Sequence, residues 1–168
     1  MHNVYERYGR VAHSAQNFEW FLASIWMYLE VLSKGWPNVP PNKKQVAELI
    51  QGMEKKTLGK LLEKVDQLLS MDDTAVRESF QEAWKVRNSL AHGFFTAHGL
   101  VQDIAEDAAQ KMTNELVRAE HILSTAEAFS SRILGGLMKL KADLDDPARR
   151  EAIVNEGFAN LAAKTRLN

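Results

Sequence analysis

The sequence predicts an all-α fold, an up-and-down helical bundle with a long first helix and a long penultimate one. Three observations predict it. Two long segments place apolar residues at alternating spacings of four and three, the period of one helix face. Shorter stripes of the same period lie between them. No segment shows the apolar–polar alternation of a half-buried strand. A length of 168 residues suits one domain. Residues 1–145 are read as the bundle, and 146–168 as a C-terminal helix and tail packed on it or extending from it.

The first helix is expected from about Asn3 to about Lys34. Its seam runs through Val4, Tyr8, Val11, Ala15, Phe18, Leu22, Ile25, Leu29 and Leu32. Trp20, Phe21, Trp26, Met27 and Tyr28 add apolar surface off the seam, so this helix must be covered on more than one side. Gly35, Pro37, Pro40 and Pro41 then force a loop. A helix from about Asn42 to Met53 presents Val46, Leu49, Ile50 and Met53. Thr57 is placed to cap the next, striped by Leu58, Leu61, Leu62, Val65, Leu68 and Leu69. Gly59 weakens that helix by about 1 kcal/mol relative to alanine, which marks it as a site of close contact. Asp72 or Asp73 caps a helix that runs to His92 and stops at Gly93. FFTAHGLVQD is less regular. A long helix follows from about Glu106, with a seam from Met112 through Leu123 and Ile133 to Leu140, weakened near its end by Gly135 and Gly136. Asp146 and Pro147 open a last short helix that ends in a polar tail.

Composition narrows the function classes. With 45% hydrophobic and 26% charged residues the chain is globular in character. It has no cysteine, which excludes thiol nucleophiles, thiolate zinc sites and iron–sulfur clusters. The formal net charge is -1, so any nucleic-acid contact must come from a local patch. The N-terminal stretch lacks the apolar core of a signal peptide, and no run nears the ~20 apolar residues of a membrane span. A cytoplasmic location without membrane contact is expected. No histidine has glutamate three residues before it, as di-iron bundles require, and HExxH, P-loop, GxGxxG and GxSxG patterns are missing. No cofactor or metal is expected.

The informative segment is VRNSLAHGFF. At ~100° per residue, Val76, Phe80, Ala83, Leu90 and Phe94 form one core-facing stripe, and Arg87 lies in its middle. A guanidinium there is costly to bury unless paired. It can be a structural arginine bonded to an acidic group, or its stem can carry the charge to an edge. Asn88 and His92, four apart, share a face with Trp84 and Gln81. His92 lies ~140° around the helix from Arg87 and ~7.5 Å along it. The two can meet only if Arg87 extends around the helix, if the helix loosens before Gly93, or across a two-fold axis. A histidine at a helix C-terminus also has a plain role in capping carbonyls and answering the helix dipole.

Arg87-Asn88-Ser89-Leu90-Ala91-His92 resembles the RX4–6H motif of HEPN domains, with a polar residue directly after the arginine. The order of a long first helix, a helical hairpin, the motif helix and a long following helix is similar to that family as well. The resemblance implies a helical bundle that pairs as a homodimer and joins two motifs in one cleft. It implies a metal-independent endoribonuclease, a toxin or defence effector with an antitoxin partner, or else a catalytically silent dimerisation or binding module. By the same resemblance Arg87 holds the scissile phosphate, Asn88 orients it or its partner, and His92 moves protons. The chemistry suits these residue types. An imidazole titrates near neutrality and can take a proton from a ribose 2′-hydroxyl, and a guanidinium matches a phosphate gaining charge.

Lys85 and Arg77 on the motif helix, and His98 just beyond it, are candidate RNA contacts, with solvated side chains as the plain alternative. Lys43, Lys44, Lys55, Lys56, Lys60 and Lys64 make the hairpin basic. His13 lies off the seam of the first helix, His121 off the Leu116–Leu123 stripe, and His2 at a fraying end.

Overall fold

A computed structural model describes residues 2–34, 43–54, 57–69, 73–98 and 106–165. The described residues are helical, with no strand among them. The helices are α1 (His2–Ser33), α2 (Lys43–Glu54), α3 (Leu58–Leu69), α4 (Thr74–His92), the single turn α5 (Phe94–Ala97), α6 (Glu106–Asp145) and α7 (Pro147–Thr165). The loop predicted at Gly35–Pro41, the lysines Lys55 and Lys56, and the stretch after His98 lie outside the described residues.

The long seams build the core. From α1, Val4, Val11, Ala15, Phe18, Leu22, Ile25 and Leu29 are buried; from α6, Met112, Leu116, Ala119, Leu123, Ala126 and Leu137 are buried against them. Ser130 occupies one α6 seam position, its hydroxyl donating to the Ala126 carbonyl 2.8 Å away and so needing no other partner. Arg7 pairs with Glu120 at 2.9 Å, and Ser14 hydrogen-bonds Glu127. Both pairings advance by the same seven residues, so α1 and α6 run parallel. Tyr8 meets Leu90 while Phe18 meets Phe80, so α4 runs antiparallel to α1. Gly59 lies under Trp84 and Asp66 bonds Arg77, so α3 is antiparallel to α4.

The seams depart from expectation at the same point. In α6, Leu134 is buried where Ile133 was expected, and Leu140 is exposed; in α1, the off-seam Trp26 is buried and Leu32 only half-buried. A strict seven-residue repeat drifts about 20° per heptad on a straight helix. By the fourth heptad the next residue along has rotated towards the core.

Caps explain the ends. The Asp73 carboxylate accepts from Ala75 N at 3.0 Å and Val76 N at 3.4 Å; Asp146 does the same for Ala148 and Arg149. Gly93 ends α4 as expected, but with φ −151° it does not adopt the left-handed form of a glycine cap. It turns the chain into α5 and buries Phe94. Two expectations need correction. The last helix is not short, since α7 spans 19 residues. Helix α2 contacts α1 but leaves Val46 and Ile50 of its apolar face exposed.

One carboxylate opposes the fold. Burial between α6 and α1 pushes the Glu127 carboxyl above the usual range, outweighing the Ser14 hydrogen bond and the charge of His13. Its Oε1 is buried without a hydrogen bond among the described residues. The native state therefore keeps this proton to higher pH than the unfolded chain. The stability it contributes is complete below the unfolded pKa, about 4.3, and is lost as pH rises through the elevated native value. Glu127→Gln is expected to raise the urea midpoint at pH 7, with the gain shrinking towards pH 4. An equal gain at both pH values would assign the effect to packing instead.

Candidate functional site

The C-terminal half of α4 forms one wall of a cleft of about 350 Å³. Trp84, Arg87, Asn88 and His92 line that wall. Thr57, Leu58, Gly59 and Leu61 of the α3 segment face them, and Glu19 enters from α1. Arg87, Asn88 and His92 thus come to one space although the helix separates Arg87 from His92 by ~140°.

The reason is Glu19. Arg87 sits mid-stripe between buried Ala83 and Leu90 and cannot keep its charge in the core. Its Nε donates to Glu19 Oε1, and its Nη1 donates to Asn88 Oδ1 at 3.3 Å. Both partners of the ion pair keep about a third of their side-chain surface in solvent, 29% for Arg87 and 32% for Glu19. At that exposure the pair contributes on the order of 1 kcal/mol or less. The remaining N–H groups of the guanidinium have no partner among the described residues. The same pair lines a second cleft of about 240 Å³, on the Tyr8 and Gln16 side. Arg87 and Glu19 therefore stand between two open spaces.

His92 is exposed at the last residue of α4 and makes no hydrogen bond or ion pair among the described residues, so both ring nitrogens are open to a ligand. Its backbone is held from behind. The Tyr8 hydroxyl donates to the Leu90 carbonyl at 2.9 Å. The Tyr8 ring packs on Phe94 and Phe95, with centroids 5.5 and 4.7 Å away. Helix-end carbonyls lack intrahelical donors, and this bond fixes the last turn of α4 to α1.

Trp84 separates this space from a neighbouring cleft of about 410 Å³ between α3 and α4. Gly59, expected to mark a close contact, packs on the indole at ordinary distance: a side-chain carbon there would lie 3.5 Å from the indole nitrogen, so the contact does not demand glycine. Lys85, Arg77 and Gln81 line the neighbouring cleft, not the one holding His92. Arg77 Nε is bound to Asp66 at 3.0 Å. His98 lies elsewhere. Its Nε2 is 2.7 Å from Glu115 of α6 and its ring packs on Phe94, and it lines neither cleft. No three metal-ligating side chains gather among the described residues, and no helix is long and apolar enough to cross a membrane.

Two site residues escape a reading of the sequence. Glu19 carries a faint signal, as the sole carboxylate between Glu6 and Glu30. Tyr8 sits in the seam as if apolar, and nothing in its spacing announces the hydroxyl's task. Comparison with protein-family models, curated proteins and solved structures finds no match.

Proposed function

We propose that the chain is a metal-independent endoribonuclease of HEPN type, and that Arg87, Asn88 and His92 are its catalytic set. One observation carries the proposal: these three side chains line a single solvent-open cleft, with the imidazole unengaged. An RNA phosphate entering the cleft takes the place of the Glu19 carboxylate on Arg87. Asn88, already bonded to the guanidinium, orients it. His92 removes the 2′-hydroxyl proton as that oxygen attacks phosphorus. The bond to the 5′-oxygen breaks, and that oxygen takes a proton from an imidazolium. A two-fold homodimer would supply the second imidazole. Metal-independent cleavage of single-stranded RNA tests the proposal.

The dimer accords with apolar surface left in solvent, Trp20 at 62% exposure on α1 together with Val46 and Ile50 on α2. An interface above ~1,200 Å² is expected for a stable pair. Light scattering at micromolar concentration should then give about twice the 19.0 kDa of the chain, and a value of one chain mass would rule the dimer out. A toxin or defence role in the cytoplasm, restrained by an antitoxin protein, belongs to the same reading, and the identity of the neighbouring gene tests it.

The second reading is a catalytically silent binding or dimerisation module. The Arg87–Glu19 pair favours it, because a purely structural arginine would be bonded in this way.

A further inference from the structure

We infer that the 410 Å³ cleft beside Trp84 is a nucleobase pocket, one that takes a base bearing an exocyclic amino group. The inference rests on the RNA reading of the adjacent cleft and adds a subsite to it. The two spaces lie on either side of Trp84 and Gly59, so a chain whose phosphate lies on Arg87 can place a neighbouring base next door by passing over the indole edge. The volume falls within the range of ligand pockets, about 300–1,000 Å³. Its walls suit a flat aromatic ring. Trp84 offers an indole, Leu62 an aliphatic surface, and Gly59 no side chain at all. Base stacking on an aromatic side chain is a common means of holding single strands.

The polar groups select the base. Gln81 supplies both a donor and an acceptor through its amide. Glu63 and Asp66 supply carboxylate oxygens, which only accept. Asp66 is oriented by Arg77 at 3.0 Å, and Glu63 receives Gln67 Nε2 at 3.3 Å, which leaves each carboxylate further lone pairs. The carboxylates of Glu63 and Asp66 welcome the amino groups of adenine, cytosine or guanine and repel the two carbonyls of uracil, while Arg77 and Lys85 of the same lining only donate. Lys85, at the same cleft, has no ion pair among the described residues and is placed to meet a flanking phosphate.

The test reads the indole N–H resonances of the four tryptophans in nitrogen-15-labelled protein, with Trp84 assigned by Trp84→Phe. The probes are trinucleotides made uncleavable by 2′-deoxy sugars, with adenine, uracil or no base at the middle position, and adenosine monophosphate alone. The Trp84 resonance is expected to shift saturably with the adenine trinucleotide. The uracil and abasic probes should bind at least ten-fold more weakly, and Gln81→Ala, at an exposed position, should narrow that difference. Binding of the mononucleotide as tightly as the trinucleotide would overturn the RNA subsite in favour of a free-nucleotide site. A Trp84 resonance that stays still while His92 ring signals move would overturn the pocket and leave the Arg87–His92 cleft intact. A Trp84 shift in a protein that cleaves no RNA would support the pocket and remove the nuclease reading.

Discussion

Arg87→Ala is expected to abolish RNA cleavage while leaving the fold in place. Loss of a single preorganised donor to a developing oxyanion costs on the order of 10²–10³-fold in rate, and Arg87 offers several donors to one phosphate. The stability cost should stay below about 1.5 kcal/mol in urea melts. Removing one partner of a fully buried pair costs about 3–5 kcal/mol, because the other charge is stranded. Glu19 escapes that penalty, since its side chain remains 32% exposed and water can reach the freed carboxylate. Glu19→Gln should act in the opposite sense on substrate. It keeps an acceptor beside Arg87 but removes the negative charge with which a phosphate must compete. RNA binding by Glu19→Gln should therefore tighten relative to wild type at low salt, where exposed charges are least screened. A large fall in the Arg87→Ala urea midpoint, with cleavage retained, would make Arg87 a structural residue and Glu19 its anchor.

These opposed expectations depend on a pairing that lies 68 residues apart in sequence. Local periodicity placed Arg87 in the core stripe, and burial of Ala83, Leu90 and Phe94 around it agrees. Which acidic group answers it is a tertiary fact, set by how α1 crosses α4, and spacing along one helix carries no trace of it. Helix identities and caps were legible for the converse reason. Asp73 and Asp146 act on backbone groups two and three residues away, so their chemistry is local. The heptad seams were legible until accumulated rotation moved burial to Leu134 and Trp26. Arg87 and His92 lie ~140° apart around the helix, and the sequence leaves three ways for them to meet; the long guanidinium stem that reaches Glu19 agrees with the first, an arginine extended beyond its own face. The face shared by Gln81, Trp84, Asn88 and His92 is divided for a related reason: the indole over Gly59 walls one cleft from the next.

His92 carries the central claim, because general acid–base transfer by a positioned side chain is worth roughly 10²–10⁴-fold and no other histidine among the described residues lines its cleft. As an exposed residue at the end of α4, without a hydrogen bond among the described residues, it can be replaced with little effect on folding. The decisive measurement compares freshly prepared wild type and His92→Ala, purified in parallel, on labelled single-stranded RNA in EDTA. The wild type is expected to cut the RNA, to leave 2′,3′-cyclic phosphate ends and to spare DNA of the same sequence, with His92→Ala slower by about 10²–10⁴-fold. Equal cleavage by both proteins, or a strict need for magnesium, would contradict the mechanism, and failure to cut any RNA would leave the binding module as the function.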